Sequence, residues 1–238
     1  DTAQSYGNEE WVGQGIAKSS VSREELFITT KVWISNGGYD KAKESIEASL
    51  KKMKLDYLDL VLIHQPLNDY YGTYRAMEDL YKEGKIKAIG VSNFYPDRLV
   101  DLALFNEVTP AVNQIEINPF HQQLKAQDYN NKYGVQLQAW APFAEGKNGI
   151  FDNTTLKSIG EKYGKSIAQV ILRWLLQRGI VPLSKTVKKE RMLQNIDVFD
   201  FELNEDDMNK ISALDKKESS FFNHQEASSV EMLASLIR

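Results

Sequence analysis

Six short apolar runs in this chain each end on a polar or aromatic group. Lys31 follows Leu26-Phe27-Ile28-Thr29-Thr30, and His64 follows Leu60-Val61-Leu62-Ile63. Ser92-Asn93 follow Ala88-Ile89-Gly90-Val91, and Gln114 follows Ala111-Val112-Asn113. Trp140 follows Val135-Gln136-Leu137-Gln138-Ala139, and Ser184-Lys185-Thr186 follow Val181-Pro182-Leu183. Groups of these types, placed where strands leave a core, can bind a polar molecule and move protons. Taken singly, each has a plain structural reading. A lone lysine can snorkel to water, and a lone histidine after an apolar strand can be a packing residue. Taken together, they are harder to dismiss.

The segment Lys185-Thr186-Val187-Lys188-Lys189-Glu190-Arg191 carries a separate argument. It leaves the last apolar run and opens a helix. Cations in a first helical turn oppose the macrodipole. A helix N-terminus crowded with them points to an anion held there, with a solvated basic face as the alternative.

Composition removes other chemistries. The 238 residues include no cysteine, which excludes disulfides, iron–sulfur clusters, thiolate zinc and a cysteine nucleophile. Such a chain suits a reducing cytoplasm. His64, His121 and His224 are far apart in sequence, so no HxH or HExxH metal motif exists and no metal is expected. With 29 Lys+Arg against 33 Asp+Glu, the net charge of -4 lacks the basic field that nucleic acid requires. No apolar run approaches the roughly 18 residues of a membrane span, and no leader pattern suggests secretion.

The elements that must position these groups alternate. Strand-like runs lie at Glu25–Lys31, Leu55–His64, Ile86–Ser92, Ala111–Ile117, Val135–Trp140 and Gly179–Leu183. Several are apolar on successive residues, which fits strands buried on both faces of a parallel sheet. Between them run amphipathic helices. Ala42, Ile46, Leu50 and Met53 mark one stripe, and Tyr74, Met77, Leu80 and Tyr81 a second. Ile167, Val170, Ile171, Trp174 and Leu175 mark a third. Helices are expected to end at Gly84, Gly134 and Gly179. Strand then helix, repeated, gives an α/β fold, and no linker divides it, so one domain over 1–238 is expected. Gly13-x-Gly15 lacks the third glycine of a dinucleotide loop, and Gly160 to Ser166 is one residue short of a P-loop. A doubly wound nucleotide fold loses its main support, and a closed barrel gains.

At this point the residues resemble a family. Asp1-Thr2-Ala3-x-x-Tyr6-Gly7-Asn8-Glu9, Thr29-Thr30-Lys31-Val32-Trp33 and Leu62-Ile63-His64-Gln65-Pro66 resemble the three catalytic segments of the aldo-keto reductases. Gly90-Val91-Ser92-Asn93-Phe94, Asn113-Gln114-Ile115-Glu116 and Lys185-Thr186-Val187 with Glu190-Arg191 and Gln194-Asn195 match in order. The spacings are most similar to the bacterial 2,5-diketo-D-gluconate reductase branch. The match runs to about Phe201.

The resemblance implies a (β/α)₈ TIM barrel that reduces aldehydes, ketones or sugar-derived carbonyls with NADPH. It implies a catalytic tetrad of Asp1, Tyr6, Lys31 and His64, with Trp33 as a pocket wall. The roles have a physical logic. Hydride arrives at carbon, charge develops on oxygen, and Tyr6 donates a proton there. A phenol titrating near 10 is a poor match to neutral pH, and an ammonium nearby is expected to lower it. A shift of about three units takes roughly 4 kcal/mol. Asp1 holds Lys31 charged, and neutral His64 orients the carbonyl and can also contact the substrate.

By the same resemblance, Ser92, Asn93 and Gln114 hold the nicotinamide carboxamide, and Trp140 stacks on its ring. Lys185, Thr186 and Arg191 take the 2′-phosphate, beside Val187, and Asn195 and Gln194 face the adenine. NADH is the alternative cofactor. Ala141 stands where the family more often has a cofactor-binding serine. The tail from about 216 to 238 departs most from the pattern and is expected to form a substrate loop. Phe221-Phe222 could line the pocket or anchor the tail. A monomer is expected, and a cofactor-binding redox sensor or scaffold subunit with little turnover is the competing function. Six clear strands fall short of the eight a barrel needs. The resemblance therefore implies that strand 1, helix 1 and most of strand 2 of the barrel precede Asp1.

Overall fold

Strand and helix alternate along the chain. The computed structural model describes residues 1–237. The strands are β1 (Thr29–Val32), β2 (Leu60–Ile63), β3 (Ile89–Ser92), β4 (Val112–Glu116), β5 (Gln136–Trp140) and β6 (Val181–Pro182). The helices are α1 (Glu9–Ala17), α2 (Tyr39–Met53), α3 (Tyr70–Lys82), α4 (Pro96–Leu104) and α5 (Leu124–Lys132). They continue with α6 (Thr154–Tyr163), α7 (Ile167–Gln177), α8 (Lys189–Ile196), α9 (Glu205–Ser212) and α10 (Ala227–Ser235).

Each expected strand exists but is shorter than its apolar run. Glu25 closes a 3₁₀ turn, where its carboxylate accepts from Ser22 N and Oγ, so the first strand starts only at Thr29. Leu58 makes an isolated bridge to Ile86 ahead of β2. The helices match their stripes, except that Tyr81 is exposed. Gly84, Gly134 and Gly179 take φ of +77°, +68° and +71° past the ends of α3, α5 and α7.

The chain packs as two compact units. The first holds 1–113, 129–135 and the chain from His224. Here β1 pairs with β2 and β2 with β3, all parallel, through α2 and α3. Neighbouring strands follow chain order without the reversal of a doubly wound sheet. Every residue of these strands is buried. Alternation splits them into two faces. Val32, Val61, Ile63 and Val91 pack with Ile46, Met53, Tyr74, Met77 and Leu80 of the helices. Leu60 and Leu62 pack separately with Val112. Lys31 is the register partner of Leu62, so it projects on the face away from the helices.

The second unit holds 114–128 and 136–223. β5 pairs in parallel with β6, Gln138 opposite Val181. The α6–α7 pair covers a core of Leu156, Ile159, Ile171, Trp174 and Leu175. Gly164 and Ser166 belong to the turn between them, Ser166 capping α7 with Gln169. That explains the near miss to a P-loop as a helix connection.

Gly13 has a comparable role. A Cβ there would lie 2.5 Å from the carbonyl oxygen of Met53 at the end of α2. The Gly13-x-Gly15 pattern therefore marks a close approach of two helices. Gly13→Ala is expected to lower stability by about 2 kcal/mol through forced separation of α1 and α2. Denaturant unfolding measures this, and an unchanged midpoint would contradict the packing argument.

Candidate active site

Lys31 is 1% exposed, at the end of β1. Its Nζ lies 2.5 Å from Asp1 Oδ1 and donates to the Thr2 carbonyl at 2.9 Å. Thr2 N in turn donates to Thr29 O, which lays the first residues along β1. After Ala3 the chain turns through a 3₁₀ turn, Gln4–Tyr6, closed by Gly7 at φ +65°. Gln4 pins this turn from both sides of its amide. Its Oε1 accepts from Trp33 N at 3.0 Å and Asn36 Nδ2 at 2.8 Å. Its Nε2 donates to Ser45 Oγ at 3.0 Å and Ser49 Oγ at 3.3 Å. The turn carries Tyr6 over Lys31, with Nζ 5.2 Å from the ring centroid.

His64 leaves β2 on the same side. Its ring makes edge contacts with Tyr6 at 5.7 Å and Trp33 at 5.1 Å. Its Nδ1 is 3.3 Å from Ser5 Oγ. Behind it, Asn93 Nδ2 reaches the His64 carbonyl at 3.1 Å, Ser92 Oγ at 3.2 Å and Gln65 Oε1 at 3.3 Å. Asn93 does so from a left-handed conformation, φ +63°. His224, from the tail, packs edge-on to Tyr95 at 6.1 Å just past β3.

The electrostatics follow from burial. Lys31 is pulled down from 10.5 to about 7, burial being the cause. His64 is pulled down to about 3 by burial, then by the Lys31 and His224 charges, so it is neutral at physiological pH. Tyr6 corrects one expectation. Its pKa is raised above 10, because partial burial penalises the phenolate; the resting site does not lower it. The phenol is therefore held fully protonated.

The first unit thus brings together Asp1, Tyr6, Lys31, His64 and Trp33, with Ser92 and Asn93 behind. The sequence reading missed Gln4, Ser5 and His224. The only signal for the first two was that both variable positions of the Asp1–Tyr6 motif are polar.

The second unit holds the remaining candidates. Gln114 Nε2 donates to Gln138 Oε1 at 3.0 Å. Trp140 packs against Phe221 at 5.2 Å, and Ala141 follows it at φ +46°. The tail is latched here, because buried Glu116 accepts from Ser219 Oγ at 2.5 Å and Ser220 N at 3.0 Å. Lys147 sits 3.9 Å over the Phe221 ring. Lys185, Thr186 and Val187 lead into α8, where Lys188 is an N-cap with no side-chain cap bond. Among the described residues, no ion pair holds Lys185, Lys188, Lys189 or Arg191. Four unmatched cations at an uncapped helix N-terminus fit a phosphate group. Asn195 on α8 donates to Ser184 Oγ at 3.2 Å, and Gln194 is exposed.

A model of the aldo/keto reductase family matches residues 1–216. Glyoxal reductase of Bacillus subtilis (strain 168) is 52% identical over 219 residues, 92% of this chain and 79% of that protein. The crystal structure of MGS-M4, an aldo-keto reductase from a deep-sea metagenome library, superposes with TM-score 0.91 at 42% identity. It covers 95% of this chain and 85% of that one. A Bombyx mori aldo-keto reductase crystallised with NADP superposes with TM-score 0.89 at 36% identity, covering 97% and 81%. The α/β fold is therefore that of the aldo-keto reductase (β/α)₈ barrels.

The Lys31 shift links to stability. Folded Lys31 releases its proton near 7, whereas unfolded Lys31 keeps it until about 10.5. Between those values the unfolded state binds more protons, so stability rises with pH. The stability of the wild type relative to Lys31→Met should therefore climb from pH 7 toward 10. A constant difference across that range would contradict the burial argument.

Proposed function

The chain belongs to the aldo/keto reductase family, and we propose that it reduces small reactive carbonyls, α-oxoaldehydes above all, with NADPH. The observation that carries this is the buried Lys31, held by Asp1 and overlain by Tyr6. The likeness to a glyoxal reductase supports the substrate class, and the NADP complex of a structural relative supports the cofactor.

When bound, NADPH supplies the hydride that reduces the carbonyl carbon. Ser92, Asn93 and Gln114 would hold the carboxamide, whose donors and acceptors their side chains match. Trp140 would stack on the nicotinamide ring. The unmatched cations of the α8 entry, Lys185 and Arg191 with Thr186, would take the 2′-phosphate. Asn195 and Gln194 would face the adenine.

The chain's own residues then handle the oxygen. His64 orients the carbonyl as a neutral group, which avoids a competing proton source. Tyr6, protonated at rest, donates its proton as charge builds on that oxygen. The new phenolate develops next to Lys31. Because Lys31 titrates near neutrality, it can hold or pass on a proton at little cost. Asp1 keeps it in register, and Trp33 forms a wall beside His64.

Loss of NADPH absorbance with a carbonyl panel tests this. Glyoxal should be turned over faster than simple aldehydes of its size. Tight NADPH binding without turnover of any carbonyl would favour the sensor or scaffold function. Tyr6→Phe should lower turnover at least about a hundredfold while leaving NADPH affinity unchanged; retained turnover would remove Tyr6 as donor. Arg191→Ala should weaken NADPH far more than NADH, and equal losses would remove the 2′-phosphate assignment.

A further inference from the structure

Ser5 stands between the residue that pins the turn and the residue assigned as proton donor. Its Oγ lies 3.3 Å from His64 Nδ1, and both ends of this contact are fixed. On one side, the four hydrogen bonds of the Gln4 amide hold the turn to α2 and to the Trp33–Asn36 segment that follows β1. On the other, His64 N donates to Val32 O, and the His64 carbonyl accepts from Asn93. The ring itself is boxed edge-on by Tyr6 and Trp33. A contact with both partners anchored sets a geometry, where a mobile surface serine would not.

That geometry has a chemical consequence. A neutral imidazole has one N–H and one bare nitrogen, and a hydroxyl can meet either, so the contact at Nδ1 allows two arrangements. Burial first, and then the Lys31 ammonium, keep His64 neutral, and the nearby His224, itself pulled down to about 4 by burial, is neutral as well. The question of which nitrogen carries the proton is therefore open at every working pH. A substrate carbonyl accepts only, so the group that orients it must present N–H.

We propose that Ser5 donates its hydroxyl proton to His64 Nδ1 and so fixes the ring proton on Nε2, making His64 a hydrogen-bond donor to the substrate carbonyl. This rests on the carbonyl-reductase reading. Ser5 acts through His64 and touches no reacting atom, so it is a positioning residue.

Nitrogen-15 NMR of the histidine rings in the whole protein tests it, with His121→Gln and His224→Gln assigning the signals. The wild type should show His64 protonated at Nε2, with Nδ1 shifted as a hydrogen-bonded acceptor. Ser5→Ala, at an exposed position, should move Nδ1 toward the value of a bare nitrogen. It should lower kcat about fivefold, the worth of one modest hydrogen bond, with NADPH affinity unchanged. Ser5→Thr should restore both signals. A wild-type ring protonated at Nδ1, an Nδ1 shift indifferent to Ser5→Ala, or an unchanged kcat in that variant would each overturn the proposal. The ring spectra are read without substrate, so failure of the carbonyl-reductase reading would appear separately, as a wild type that turns over nothing.

Discussion

A lysine inside a sheet governs the first unit. Taking an ammonium out of water costs several kcal/mol unless partners replace the lost hydration. Lys31 finds them in the Asp1 carboxylate and the Thr2 carbonyl. Because these two residues are consecutive, their segment runs along β1, and Thr2 N donates to Thr29 O there. The next residues then have nowhere to go but over the end of the strand. Gln4 anchors them there, and Tyr6 lands above the ammonium.

The compensation is incomplete, and that serves the chemistry. Lys31 keeps enough desolvation cost to titrate near 7. The resting phenol beside it stays protonated, because burial raises its pKa. Proton donation thus depends on charge appearing on the substrate. His64, kept neutral by burial and then by the Lys31 ammonium, contributes direction without a charge of its own.

Strand ends were legible because apolar runs stop where polar side chains begin, and parallel strands buried on both faces make those stops sharp. The tetrad was legible because its members sit at fixed offsets from such stops. The strand starts were not. Glu25 and Leu55 lie in apolar-looking runs, yet a 3₁₀ turn and an isolated bridge occupy those stretches. Gln4 was invisible because its four partners come from α2 and from the Trp33–Asn36 segment after β1, tens of residues away. The raised pKa of Tyr6 was also out of reach, since proximity to a lysine can be read from a motif but desolvation depends on packing. In the second unit, the latch of Glu116 on Ser219 and the packing of Phe221 on Trp140 join residues about a hundred and about eighty positions apart. No local pattern encodes such pairs.

The central claim is that Lys31 is buried, held by Asp1 and titrates near neutrality. Carbon-13 NMR of labelled lysine side chains, followed through a pH titration, measures it directly. One lysine should show a midpoint near 7, missing in Lys31→Met and moved lower still in Asp1→Asn, where the carboxylate no longer supports the ammonium. A Lys31 midpoint near 10.5, or one indifferent to Asp1→Asn, would contradict it.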